Sequence, residues 1–199
     1  MRIRTVLFLC IILLLTFQAQ SAETPLAIVK NSIGEMLDIL ASEEYRNEEN
    51  RQPLREKIFS IANDRFFWEE IAKRSLGRKW KDQTREDQER FVSLFTRLLK
   101  DNYIGKLESY SQQQVIYEEE IFKGQYAEVR TKIVQEKGED IPVYYRMINE
   151  GGTWLVYDVV IEGISLVKNY RSQFEDMLSK SSFKEFLDKI ENKLKEEKK

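Results

Sequence analysis

The stretch Trp154–Phe174, WLVYDVVIEGISLVKNYRSQF, limits what the chain can fold into more than any other. Its first half, Trp154 to Ile161, is almost entirely β-branched, aromatic or aliphatic, as a strand buried on both faces requires. Its second half places Leu166, Tyr170, Phe174 and Met177 at helical spacing. Between the halves, Glu162-Gly163 breaks the strand. Glycine supplies the freedom for a sharp turn, and Ser165 can cap the helix that follows. The elbow also carries two acids, Asp158 and Glu162, in an otherwise apolar setting.

Upstream of this elbow the hydrophobic period changes once. From Leu26 to Leu107 it is helical. Leu26, Val29, Ile33, Met36, Leu37 and Leu40 form one stripe, followed by a polar stretch, Ser42 to Gln52. Pro53 suits the first turn of a second helix, which buries Leu54, Ile58 and Ile61. Asp64 can cap a third helix carrying Phe67, Trp68, Ile71 and Leu76, and Gly77 ends it. Thr84 with Asp87 is a variant capping box opening a long helix, with Phe91, Phe95, Leu98, Leu99, Tyr103 and Leu107 on its apolar face. Taken alone, these stripes mean core packing.

At Val115 the period becomes two. Val115 to Phe122 is a first strand and Tyr126 to Val134 a second, with Ala127, Val129, Thr131 and Ile133 on one face. Ile141 to Ile148 is a third, with Val143, Tyr145 and Met147 on one face, and Trp154 to Ile161 is the fourth. The short connections make an antiparallel meander. A terminal helix from Ser182 and a fraying lysine- and glutamate-rich tail from Lys189 complete the chain. Helices, then a meander, then helices is an α+β pattern. It predicts a curved antiparallel sheet of four strands or slightly more, wrapped by helices, with a cone-shaped interior either filled or open to a ligand. The expected division is a targeting segment over 1–22 and one domain over 23–199, helical over 25–111, sheet over 114–162 and helical again over 164–196.

The first residues read as a secretory signal peptide. Arg2 and Arg4 are basic, Val6 to Phe17 is apolar, and Ala19 to Ala22 offers small residues for cleavage. The alternative is an uncleaved anchor. Cys10 follows Leu9 without a small residue before it, which argues against a lipoprotein signal. Loss of the two arginines takes the net charge from −2 to −4, and loss of Cys10 leaves a mature chain without cysteine. Such a domain lives on its core alone, which suits a bacterial periplasm. The acidic balance gives no reason to expect nucleic acid as a partner.

The chain has no histidine. The usual metal ligands and the Ser-His and Cys-His nucleophile systems are therefore missing, so no metal, no cofactor and no catalytic residue is expected. Asp158 and Glu162 are the one pair to weigh for acid–base work. Four residues apart on a strand they would be about 13 Å apart, more than paired glycosidase carboxylates tolerate. A lone buried acid could still act as an isomerase base. The better expectation is that Asp158 accepts hydrogen bonds and Glu162 stands at a cavity mouth. The tyrosines, apolar with a polar tip, either tile a core or mark the boundary between an apolar pocket and water.

Three stretches together resemble the MlaC/Ttg2D family, the toluene-tolerance Ttg2 proteins. Leu76-Gly77-Arg78-Lys79-Trp80 resembles its "LGr.W". Thr84 to Tyr103, with Gln88, Phe91, Phe95 and Leu98-Leu99, resembles its "t.eq...F...F..lL...Y". Trp154 to Phe174 resembles its "W.vyDv.ieGvSlv.nyR.qF". Phe66-Phe67-Trp68 departs from the family's "fDf" segment, the acid here being the displaced Asp64. The resemblance implies a fold like that of nuclear transport factor 2 with extra N-terminal helices, and a cavity for acyl chains with the headgroup near solvent. It implies a monomeric periplasmic phospholipid carrier, not an enzyme. Its implied partners are an inner-membrane MCE-domain ABC transporter complex and an outer-membrane lipoprotein complex.

A diacyl lipid has on the order of 30 methylenes, and exposing each costs about 0.8 kcal/mol, so unassisted passage through water would cost roughly 20 kcal/mol or more. A carrier offsets this with an apolar cavity and needs no catalytic group. The expected lining is Tyr103 and Leu107 of the long helix, then Val129, Thr131, Val143, Tyr145 and Val156 of the sheet, then Ile164 and Val167 after the elbow, with Glu162 at the rim. The rival readings are a small-molecule enzyme on the same fold using Asp158 and Glu162, and an interaction module with a filled core.

Overall fold

The computed structural model describes residues 23–110 and 112–196. The expected signal peptide, 1–22, lies outside them. Helix α1 (Pro25–Ala41) begins with proline in its first turn, and the Thr24 hydroxyl accepts the Ala27 N–H. The polar stretch after it is helical rather than a loop. It holds a single turn, α2 (Glu43–Arg46), and the start of α3 (Glu48–Asn63), capped by Asn47. Pro53 therefore sits inside α3, about one and a half turns beyond its actual start at Glu48, rather than in its first turn. Asp64 closes α3 instead of capping the next helix. Helix α4 (Trp68–Leu76) follows Phe67 and has no side-chain cap. The backbone there is used by the sheet instead. Phe67 N–H donates to the Val156 carbonyl (2.9 Å), and Val156 N–H donates to the Arg65 carbonyl (2.8 Å).

Gly77 ends α4 with φ of 58°. A Cβ there would lie 3.4 Å from the Arg171 guanidinium, whose Nε donates to the Arg74 carbonyl at 2.7 Å. A side chain at this position would meet both a strained backbone and that clamp. After a 3-10 turn comes α5 (Arg85–Ser109). Thr84 caps it by accepting the Asp87 N–H at 3.2 Å and donating its hydroxyl to the Asp87 carboxylate at 3.0 Å, as the variant capping box predicts.

The sheet runs in sequence order, β1 (Val115–Lys123), β2 (Tyr126–Ile133), β3 (Ile141–Glu150), β4 (Thr153–Ile161) and β5 (Ile164–Ser165), all antiparallel. The alternation read in the sequence holds in the register. Val129 stands opposite Tyr145, and Thr131 opposite Val143, on one inner face. One bulge changes β4. Asp158 pairs with Arg146 and Val156 with Met147, leaving Tyr157 as an extra residue. The extra residue lets Val156, Val159 and Ile161 share the inner face while Asp158 turns outward toward Arg146.

The elbow is a hairpin before it is a helix. Ile161 pairs with Ile164, and φ is 50° at Glu162 and 80° at Gly163. Positive φ at both central residues is what a type I′ turn requires. Helix α6 (Leu166–Ser179) starts only after this turn, with Ser165 capping it through the Lys168 N–H. The terminal helix α7 (Phe183–Glu196) does not fray at Lys189. It buries Ile190 and Leu194 and is tied to α5 by Arg90, which donates to Asp188 (2.9 Å) and Glu191 (2.7 Å).

The buried side chains fall into three clusters. The largest joins α4, α5, α6 and α7 around Phe91, Phe95, Phe174 and Phe186, whose rings meet at centroid distances of 5.1–5.8 Å in stacked, tilted and edge-on pairs. A second packs Ile28 and Val29 of α1 on Val129, Met147 and Val156. A third holds Leu40, Tyr45 and Ile58 at the far end of α1.

Candidate functional site

The inner face of the sheet is only partly covered by packed side chains. Between it and α1, α3 and α5 lies a cavity of about 400 Å³. Its floor is Thr131, Val143, Tyr145, Val156, Val159 and Ile161. Its roof is the apolar stripe of α1 (Ile33, Met36, Leu37), the α3 residues Ile58 and Phe59, and Leu99, Tyr103 and Leu107 of α5. The stripes that mean core packing in the sequence thus face empty space along part of their length.

Seven of the expected lining positions border the cavity: Tyr103, Leu107, Thr131, Val143, Tyr145, Val156 and Glu162. Three do not. Val129 is fully buried beneath Ile28 and Val29, where α1 closes down on the sheet. Val167 sits in the first turn of α6 and points into the aromatic cluster. Ile164 lies in the two-residue strand β5, 64% exposed, and does not begin a helical lid. The walls supplied by α1 and α3 were absent from the expected set. Their only signal in the sequence is the same apolar stripe that any covered helix shows.

The polar groups at the cavity differ in how they are engaged. The Thr131 hydroxyl donates to the Val143 carbonyl at 2.9 Å. Tyr145 has no hydrogen-bond partner among the described residues, and burial pushes its phenol far above the usual tyrosine range. Tyr145 is half-buried and borders the cavity. Burial also raises Tyr103, with Tyr170 adding to it.

Asp158 is 4% exposed and fully committed. Its carboxylate accepts the Ser165 hydroxyl (2.7 Å), the Val167 N–H (3.0 Å) and Arg146 Nη1 (3.1 Å). It therefore holds the N-terminus of α6 against the outer face of the sheet, where a negative charge complements the helix dipole. Glu162 is exposed in the turn, and its side chain has no partner among the described residues. An acid fixed by three donors and an acid in a solvent-facing turn do not make an acid–base pair. Among the described residues no cluster of side chains has the spacing of a metal site.

At the α3 end, Glu108 of α5 accepts the Tyr45 hydroxyl, Arg55 Nε (2.8 Å) and Arg55 Nη2 (2.7 Å). This carboxylate ties the α2–α3 segment to α5 beside the cavity.

The arrangement can hold a long apolar molecule. The family model for "MlaC protein" matches residues 30–192. The chain belongs to the MlaC family. Among curated relatives, the toluene tolerance protein ttg2D of Pseudomonas putida is 27% identical over 163 residues, covering 81% of this chain and 76% of that one. The intermembrane phospholipid transport system binding protein MlaC of Haemophilus influenzae is 29% identical over 121 residues, covering 58% of this chain and 56% of that one. Among solved structures, a phospholipid-binding protein from Ralstonia solanacearum, in complex with a phospholipid, superposes with a TM-score of 0.74 at 24% identity. The match covers 89% of this chain and 99% of that chain. That likeness is one of fold, and it gives this MlaC-family chain the same α+β architecture.

Proposed function

We propose that the protein is a periplasmic phospholipid carrier that holds acyl chains between sheet and helices and shuttles lipid between transport complexes of the two membranes. The observation that carries this reading is the apolar cavity, walled by α1, α3, α5 and the inner face of the sheet. Tyr103, Leu107, Thr131, Val143, Tyr145 and Val156 would contact the chains, and Glu162 would stand at the rim. The fixed role of Asp158 in the elbow favours a carrier over an enzyme.

The phospholipid transport system to which the Haemophilus influenzae relative belongs, and the phospholipid held by the solved neighbour, support the lipid as cargo. The partners in this reading are an inner-membrane MCE-domain ABC complex and an outer-membrane lipoprotein complex, met by a monomer exported through cleavage near Ala22. No described helix is long and apolar enough to cross a membrane. The test is organic extraction of the purified mature protein followed by mass spectrometry, and reloading of the stripped protein from vesicles. Stoichiometric phospholipid is the expected result. No lipid recovered and none taken up would refute the reading.

A further inference from the structure

Three cations border the cavity: Arg65, Lys100 and Lys106. Arg65 is paired with Glu23 at 3.7 Å. The two lysines, both on α5, have no carboxylate within ion-pair distance among the described residues. Each instead lies over an aromatic ring of the cavity wall. Lys100 Nζ is 5.0 Å from the Phe59 centroid, and Lys106 Nζ is 5.2 Å from that of Tyr103. Six residues on one helix separate them by about 9 Å along its axis. Two acids belong to residues of the cavity lining: Asp158, whose carboxylate is turned to Arg146, Ser165 and Val167, and Glu162. With those pairs set aside, the free groups are two ammoniums and one carboxylate, a net positive rim on an apolar chamber.

An ammonium resting on an aromatic face is held weakly, by about 0.5–1 kcal/mol at an exposed site, and moves readily to an anion. A phosphodiester tethered to chains in the cavity is such an anion, delivered to the rim by the apolar part of the same molecule. We propose that Lys100 and Lys106 form a headgroup phosphate site, so that the protein selects lipids of net negative headgroup over zwitterionic ones. This rests on the carrier reading given above. A zwitterionic headgroup would bring its own ammonium toward two others with only Glu162 to offset it. An anionic headgroup brings none.

The test loads lipid-stripped protein from vesicles of equimolar phosphatidylglycerol and phosphatidylethanolamine, then quantifies total lipid per protein and the ratio of the two by mass spectrometry. Wild type is expected to enrich the anionic lipid about three- to tenfold, an electrostatic preference that falls as salt rises. Lys100→Gln with Lys106→Gln should bring the ratio among the lipids still bound to that of the vesicle. Lys100→Arg with Lys106→Arg should keep the enrichment. Full loading without enrichment in wild type, or enrichment that survives the double glutamine change, would overturn the headgroup site and leave the carrier intact. Absence of loading in wild type would overturn the carrier reading itself. Thermal stabilisation of the lipid-free wild type by millimolar inorganic phosphate would mean a free-anion site and would also overturn the headgroup assignment.

Discussion

Asp158→Asn changes one atom in a carboxylate that serves three donors. Oδ1 accepts the Val167 N–H, while Oδ2 accepts both the Ser165 hydroxyl and Arg146. With the amide oxygen kept toward Val167, the new NH₂ faces two donors. If Ser165 reverses its role, its Oγ accepts the amide beside the Lys168 N–H it already accepts as the α6 cap, and its own proton loses the Asp158 acceptor. Arg146 retains Glu128 at 3.2 Å, which limits the loss on that side. Loss of a charge-assisted bond to a partly buried guanidinium and of a full negative charge at a helix N-terminus together amount to about 3 kcal/mol. In a chain of this size that lowers Tm by about 6–12 °C. Urea denaturation of the lipid-free protein measures it, and lipid loading at low temperature should be retained. A loss below about 1 kcal/mol would show that the elbow does not depend on this carboxylate. A variant of unchanged stability that had lost a chemical turnover would restore the enzyme reading.

Other perturbations separate cavity from core. Val159→Trp places an indole in the cavity floor and should lower phospholipid uptake several-fold, read by extraction and mass spectrometry, while the far-ultraviolet circular dichroism is unchanged. Tyr145→Phe removes a hydroxyl without a partner, so lipid-free stability should stay within about 0.5 kcal/mol of wild type or rise, in urea titrations. Glu191 is held down to about 2, from 4.5, by Lys195 and then Arg90. A depressed carboxylate contributes stability that is present above 4.5 and is lost as pH falls toward 2. Glu191→Gln should therefore flatten the acid limb of a stability–pH profile in that window, measured by thermal melts.

The sheet was legible because alternation is a two-residue pattern that survives in any context. The turns after Phe122, Val134 and Ile148 are marked by glycines, and each strand begins within a residue of its expected start. The elbow was legible too, though its hairpin was not, since Glu162 in a left-handed conformation has no signature of its own. The Tyr157 bulge was equally silent. It inserts a residue into a run apolar on both faces, where no change of phase can be seen. The α2–α3 segment was obscured by its polarity, because its residues in the third cluster, Tyr45, Leu54 and Ile58, are scattered among charged ones. The tail was misread for a similar reason. Ile190 and Leu194 sit four apart among lysines and glutamates, enough for one buried stripe but little for a composition count. The cavity was the hardest feature, because a stripe announces that a helix is covered without saying whether atoms or cargo cover it. Hence Val129 and Val167, which the packing seals, looked the same as Val143 and Val156, which border the space.

The aromatic cluster of α4–α7 has a further consequence. Its phenylalanines close on one another, and its densest part, around Phe91 and Phe186, touches none of the cavity. Cohesion there is independent of whether the chamber is full. The two smaller clusters are different, since the cavity runs between their elements and cargo would complete their packing. The molecule is thus a rigid chassis carrying a compliant hold. Emptying it should loosen α1–α3, seen as faster amide hydrogen exchange in those helices, while α5 to α7 keep their protection. A carrier built this way can release its load without risking its fold, and can wait empty between journeys.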